Sequence, residues 1–132
     1  MGTGTSIGRV RGLGSAHEGT HHWLHQRITA GSNLLLMTWL IVSLVRLPDL
    51  GYATVQAWLS APVAAVPLIL LVISVFYHLR LGLQVVIEDY QHDETRIVLL
   101  TLLNFFVVAA SVLAIFSILK VAFTAVTTGA PV

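Results

Sequence analysis

His78 ends a long apolar run over residues 66–77, and Asp89 and Tyr90 follow it by eleven and twelve residues. The apolar stretch to which it belongs, residues 64–87, is too long and too apolar for a soluble helix and reads as a membrane span. An imidazole inside hydrocarbon is costly unless something ligates or hydrogen-bonds it, so an ionisable residue at that depth marks a functional site by default. Eleven helical steps complete roughly three turns, which returns Asp89 to the face of His78 about 16 Å further along the axis. One helical face therefore presents a potential metal ligand inside the bilayer and an acid–phenol pair at its edge.

Two chemistries suit His78. One is a hydrogen bond to a neighbouring helix, the common fate of polar residues in membrane bundles. The other is axial ligation of haem iron through a neutral imidazole nitrogen. With one histidine well inside a span, a bis-histidine haem needs its second ligand from another chain. Gly82, one turn on, leaves room for a flat macrocycle or a second helix. Arg27 and Arg80 are suited to pairing with haem propionates or phosphate headgroups, though snorkelling to lipid headgroups is the favoured reading for both. Glu88 and Asp89 oppose the macrodipole at a helix C-terminus, which points to a role other than stability. Tyr90 fits an aromatic belt, or a phenol donating to a ligand carbonyl.

The elements that must position these residues follow from composition. The chain has 132 residues, 56% apolar and 10% charged, against about 25% charged in an ordinary globular domain. A net charge of +1 gives no case for nucleic-acid binding, and zero cysteines exclude disulfides, thiol catalysis and iron–sulfur ligation from this chain. Three spans are expected, over residues 28–47, 64–87 and 97–123, each near or above the ~20 residues that cross a bilayer. They follow an N-terminal segment over 1–27 and precede a tail over 125–132. Pro67 is placed in the first turn of the second span, where a missing N–H costs least. Residues 53–60 read as a short interfacial helix with Trp58 at headgroup level, and residues 88–96 as a polar loop.

Residues 1–27 lack the apolar core of a secretory signal, and Glu18 and the histidines fit a mitochondrial presequence poorly. His17, His21, His22 and His25 include an i, i+4 pair, but no zinc motif accompanies them, which favours a solvated or partner-contacting segment. Trp23 suggests an amphipathic entry to the first span. Ser32, Asn33 and Asn104 are expected to bond to adjacent helices. Arg9, Arg11, Arg27, Arg80 and Arg96 fall on one side and Arg46 and Lys120 on the other, so the positive-inside rule puts the N-terminus in the cytoplasm, or in a mitochondrial matrix.

The stretch His78-Leu79-Arg80-Leu81-Gly82 through Asp89-Tyr90 resembles the second-span signature of the succinate dehydrogenase cytochrome b556 proteins, in their hydrophobic membrane-anchor branch. Residues 8–15 and His22-Trp23-Leu24-His25-Gln26-Arg27 are also similar to the alphaproteobacterial and mitochondrial-type members. The resemblance implies an all-α membrane protein whose three transmembrane helices form half of a heterodimeric haem-binding bundle. It implies that His78 ligates haem b, with the other axial histidine on a sister cytochrome b556 anchor. Tyr90 is implied to bond the ubiquinone carbonyl, Asp89 to supply protons beside it, and Arg27 to lie near the haem propionates and quinone pocket. The implied partners are that sister anchor, an iron–sulfur protein and a flavoprotein, in a bacterial inner membrane rather than a mitochondrial one. The chain would then catalyse nothing alone, serving succinate:ubiquinone reduction in the respiratory chain and tricarboxylic acid cycle. A fumarate reductase anchor and a small proton-coupled transporter using His78 and Asp89 are the rival readings.

Overall fold

The structure, a computed structural model, describes residues 17–127. Arg9, Arg11, the 8–15 stretch and residues 128–132 lie outside the described residues. Four helices follow in order: α1 (His17–Val45), α2 (Tyr52–Ser60), α3 (Pro62–Tyr90) and α4 (Asp93–Thr127). Stretches of 27, 29 and 32 residues within α1, α3 and α4 are long and apolar enough to cross a membrane. At 1.5 Å per residue they reach roughly 40–48 Å, more than a hydrocarbon core of about 30 Å. Large apolar side chains such as Leu34, Leu35, Phe105, Leu113 and Phe116 stand exposed along them, the pattern expected where lipid is the solvent.

The helices are longer than the apolar runs alone suggest. α1 begins at His17, so the histidine-rich segment joins the first span as one continuous helix. The 88–96 loop contracts to Gln91 and His92, because α3 continues through Tyr90 and α4 starts at Asp93. Asp93 takes φ 56°, a left-handed conformation that Asp tolerates better than most side chains, and this reverses the chain. Asp93 and Glu94 then occupy the first turn of α4, where their charge complements the helix dipole.

The remaining breaks also have local causes. Ala61 precedes Pro62 and is held extended (φ −73°, ψ 129°), since the proline ring disfavours the helical region for its predecessor. α2 therefore ends there, and α3 starts with Pro62 in its opening turn, where the absent N–H has no partner to lose. Pro67 accordingly lies one turn deeper than the sequence suggests. Between α1 and α2, the Asp49 carboxylate accepts the Gly51 N–H at 2.7 Å. A Cβ on Gly51 would meet that same oxygen at 2.7 Å, so the bare glycine admits the turn.

α3 is the central span: it packs on α1 and α4, while α1 and α4 do not pack on each other among the described residues. The short α2 wedges against the start of α3 and the end of α4, where Leu59, Ala65, Ile118 and Ala122 form a small core. Trp58 belongs to that packing and stacks on Trp39 of α1 at 6.2 Å between centroids. The start of α1, the end of α3 and the start of α4 share the other end of the bundle.

Candidate functional site

The site is built on a polar seam between α1 and α3. His22, Gln26, Thr29 and Asn33 recur at steps of four, three and four, so they line one face of α1. That face meets α3 instead of lipid, which inverts the usual arrangement of a soluble amphipathic helix. His25 Nδ1 lies 3.0 Å from the Tyr77 hydroxyl, with the two rings tilted at 6.0 Å. Four polar atoms buried in the protein have no hydrogen-bond partner among the described residues: His22 Nε2, Gln26 Oε1, Asn33 Oδ1 and Ser74 Oγ. The expected interhelical bond of Asn33 is thus not made among the described residues.

His78 is half-buried on α3 and faces α1. Its Nδ1 lies 2.9 Å from Thr29 Oγ1, and this is its one hydrogen bond among the described residues. Thr29 is itself 8% exposed, the one buried polar residue among those described. Its hydroxyl also reaches back to the carbonyl oxygens of His25 at 2.8 Å and Gln26 at 3.2 Å. The interhelical bond expected for a membrane histidine is present, and it uses a single ring nitrogen. One turn on, a Cβ at Gly82 would find only Gln26 Nε2, at 3.8 Å, so the backbone there is open to close approach.

Between this seam and the bundle end lies a cleft of about 810 Å³, lined by His22, Trp23, Gln26, Gly82, Val85 and Glu88 among others. The unpartnered His22 Nε2 and Gln26 Oε1 belong to residues of its wall. Glu88 accepts from Gln84 Nε2 at 3.0 Å and pairs with Arg96 at 3.5 Å, which offsets its unfavourable place at the end of α3. With both partners substantially exposed, that ion pair contributes at most about 1 kcal/mol.

Asp89 and Tyr90 lie at the same end, both exposed, with Tyr90 at 77%. Neither lines the cleft, and neither is brought to His78. Arg27 is exposed, with its guanidinium carbon 4.9 Å from the centre of the Trp23 ring, a cation–π contact at the cleft wall. Arg80 turns to the other side of α3, where its Nε donates to Asn104 Oδ1. Asn104 therefore bonds to an adjacent helix as expected. No cluster of three or more His, Asp or Glu suited to a metal ion forms among the described residues, and His22 and His25 instead face α3. Thr29, Gln26 and Tyr77 are the participants that residue type alone did not single out. Their signal is the four-three-four spacing of polar residues along the first span.

The comparisons with known proteins agree with this architecture. Residues 1–127 match the succinate dehydrogenase/fumarate reductase transmembrane subunit family. The succinate dehydrogenase hydrophobic membrane anchor subunit of Rickettsia bellii is 35% identical over 114 residues, covering 83% of this chain and 91% of the relative. Its counterpart in Rickettsia conorii is 34% identical over 115 residues, with the same coverage. The Paracoccus denitrificans anchor is 32% identical over 110 residues, covering 80% of this chain and 84% of the relative. No solved structure matches the chain. A family match across nearly the whole length, with relatives above 30% identity, establishes that this chain belongs to the transmembrane subunits of the succinate dehydrogenase/fumarate reductase family.

Proposed function

We propose that this chain is the hydrophobic anchor of a succinate:ubiquinone oxidoreductase, giving one axial ligand to haem b and one wall of a ubiquinone site. The observation that supports it most is the state of His78, held within a span by one nitrogen, with the other free of partners among the described residues. Haem ligation asks one chain for a single imidazole, so the absence of a multidentate cluster among the described residues does not conflict with it. The open backbone at Gly82 suits a flat group beside the ring. The residues present therefore fit the group. When bound, haem b supplies a one-electron centre whose potential its axial ligands tune.

Within this reading His78 would hold the iron, together with a histidine of the sister cytochrome b556 anchor. Arg27, steadied against Trp23, offers a guanidinium to the propionate carboxylates. At the bundle end Tyr90 donates its phenol to a quinone carbonyl oxygen, which polarises that carbonyl as electrons arrive. Reduction to the quinol consumes two electrons and two protons. The electrons come from succinate through the iron–sulfur centre of a partner, and Asp89 passes protons from water. Exposure of both side chains leaves them reachable by quinone and by a soluble partner docked at that end. The positive-inside rule places that end in the cytoplasm of a bacterial cell. The family description also covers fumarate reductase, in which the same residues would serve flux in the opposite direction. Family membership favours an anchor over a transporter.

Affinity purification of the chain from its native membrane tests the assignment. An anchor is expected to bring a second small membrane protein, a flavoprotein, an iron–sulfur protein and a haem b absorbance band. A colourless, self-associated species would refute it.

A further inference from the structure

We propose that Thr29 is a positioning residue that fixes His78 as the Nδ1–H tautomer and thereby presents the Nε2 lone pair to iron. The inference rests on the reading of His78 as a haem ligand and assigns a task to a residue outside the ligand set. A hydroxyl has one proton and two lone pairs. Thr29 Oγ1 lies 2.8 Å from the His25 carbonyl oxygen and 3.2 Å from that of Gln26, and carbonyls only accept. The single hydroxyl proton therefore points back into α1.

What remains toward His78, at 2.9 Å, is a lone pair, and the ring nitrogen facing it must donate. The opposite tautomer would need the proton to leave the carbonyl, with two bare oxygens held 2.8 Å apart. Three features keep the hydroxyl in place. Thr is β-branched and has few helical rotamers. The back-bond to the residue four positions earlier selects one of them. Burial at 8% exposure leaves little surface on which water could act as a substitute partner.

A neutral imidazole ligates through the nitrogen that has no proton, and the hydrogen bond made by the other nitrogen decides which one that is. Thr29 thus determines the ligating atom and the orientation of the ring plane. Accepting from Nδ1–H also makes the ligand more basic, which favours the oxidised iron and lowers its potential.

The test uses the assembled complex carrying Thr29→Val, Thr29→Ser or His78→Ala, with redox titration of the haem band as the readout. Thr29→Val keeps the shape, removes the acceptor and is expected to shift the haem to a more positive potential. The expected change is about fivefold in the reduced-to-oxidised ratio at a fixed potential, the equivalent of one ordinary hydrogen bond. Thr29→Ser restores the native value. If His78→Ala abolishes the band while Thr29→Val titrates as the unmodified complex, the positioning role is wrong and the haem reading stands. If His78→Ala leaves the band unchanged, both fail. Should Thr29→Val not assemble, a density map of the unmodified complex decides. Iron on Nε2 with Nδ1 bonded to Thr29 Oγ1 supports the proposal, and iron on Nδ1, or Thr29 turned off the ring, overturns it.

Discussion

Arg80 on α3 donates from Nε to the side-chain oxygen of Asn104 on α4, two residues beyond His78 and about 200° around the helix from it. The two faces of the central span therefore hold different partners: Thr29 of α1 on one, Asn104 of α4 on the other. The Arg80 bond lies in a smaller cleft of about 340 Å³, walled by Ile73, Phe76 and Val107 among others. Replacing Asn104 with Leu leaves the guanidinium without that acceptor in apolar surroundings. The expected loss is about 1 kcal/mol in the detergent-solubilised complex, the upper part of the range for interhelical hydrogen bonds. A lowered thermal midpoint with an unshifted haem band would match, since Arg80 points away from His78.

Tyr90 is the next target. Tyr90→Phe removes only a hydroxyl from an exposed ring, so folding and haem content are expected to stay native. Succinate-driven quinone reduction is expected to fall by about tenfold or more, the scale of one hydrogen bond to a charge-developing oxygen. Steady-state turnover against quinone concentration checks it; native turnover and affinity would exclude the phenol from the site.

Asn33 bears on assembly. Its Oδ1 and Ser74 Oγ are buried without partners among the described residues, and an unmet polar group in an apolar setting costs about 1–3 kcal/mol. If the sister anchor supplies the missing donors, Asn33→Leu weakens recovery of the heteromer. If nothing supplies them, the substitution is neutral or stabilising. The yield of intact complex by native mass spectrometry separates the two, and the account expects the loss.

Asp49 makes a prediction about pH. The Gly51 N–H and then the Thr54 side chain hold its carboxyl below the usual value of 3.8. The charged form is thus favoured in the folded turn. Its contribution is fully present above 3.8 and is lost as pH falls through the lower folded value. Asp49→Ala is expected to lower the thermal midpoint slightly at neutral pH, with the two proteins converging in strong acid. A difference that widens on acidification would contradict this.

Much of the architecture is legible in the sequence because hydrocarbon imposes one rule on every residue it contacts. Runs of apolar side chains long enough to cross it define α1, α3 and α4, and His78 is conspicuous against that background. Helix ends are less legible. Residues 88–90 and 93–96 are polar, which suggests a loop, yet ion pairing of Glu88 and the acidic start of α4 let both helices run on. Thr29 is the least legible. A threonine in a span is unremarkable by type, and its partner stands 49 residues away, so its meaning emerges only when α1 packs on α3.

The most direct test is the reduced-minus-oxidised spectrum of the purified complex carrying His78→Ala, with the unmodified complex beside it. Loss or displacement of the haem b band, in a complex that still contains its soluble partners, is the predicted result. An identical band in both would show that the imidazole in the middle of α3 only packs against Thr29.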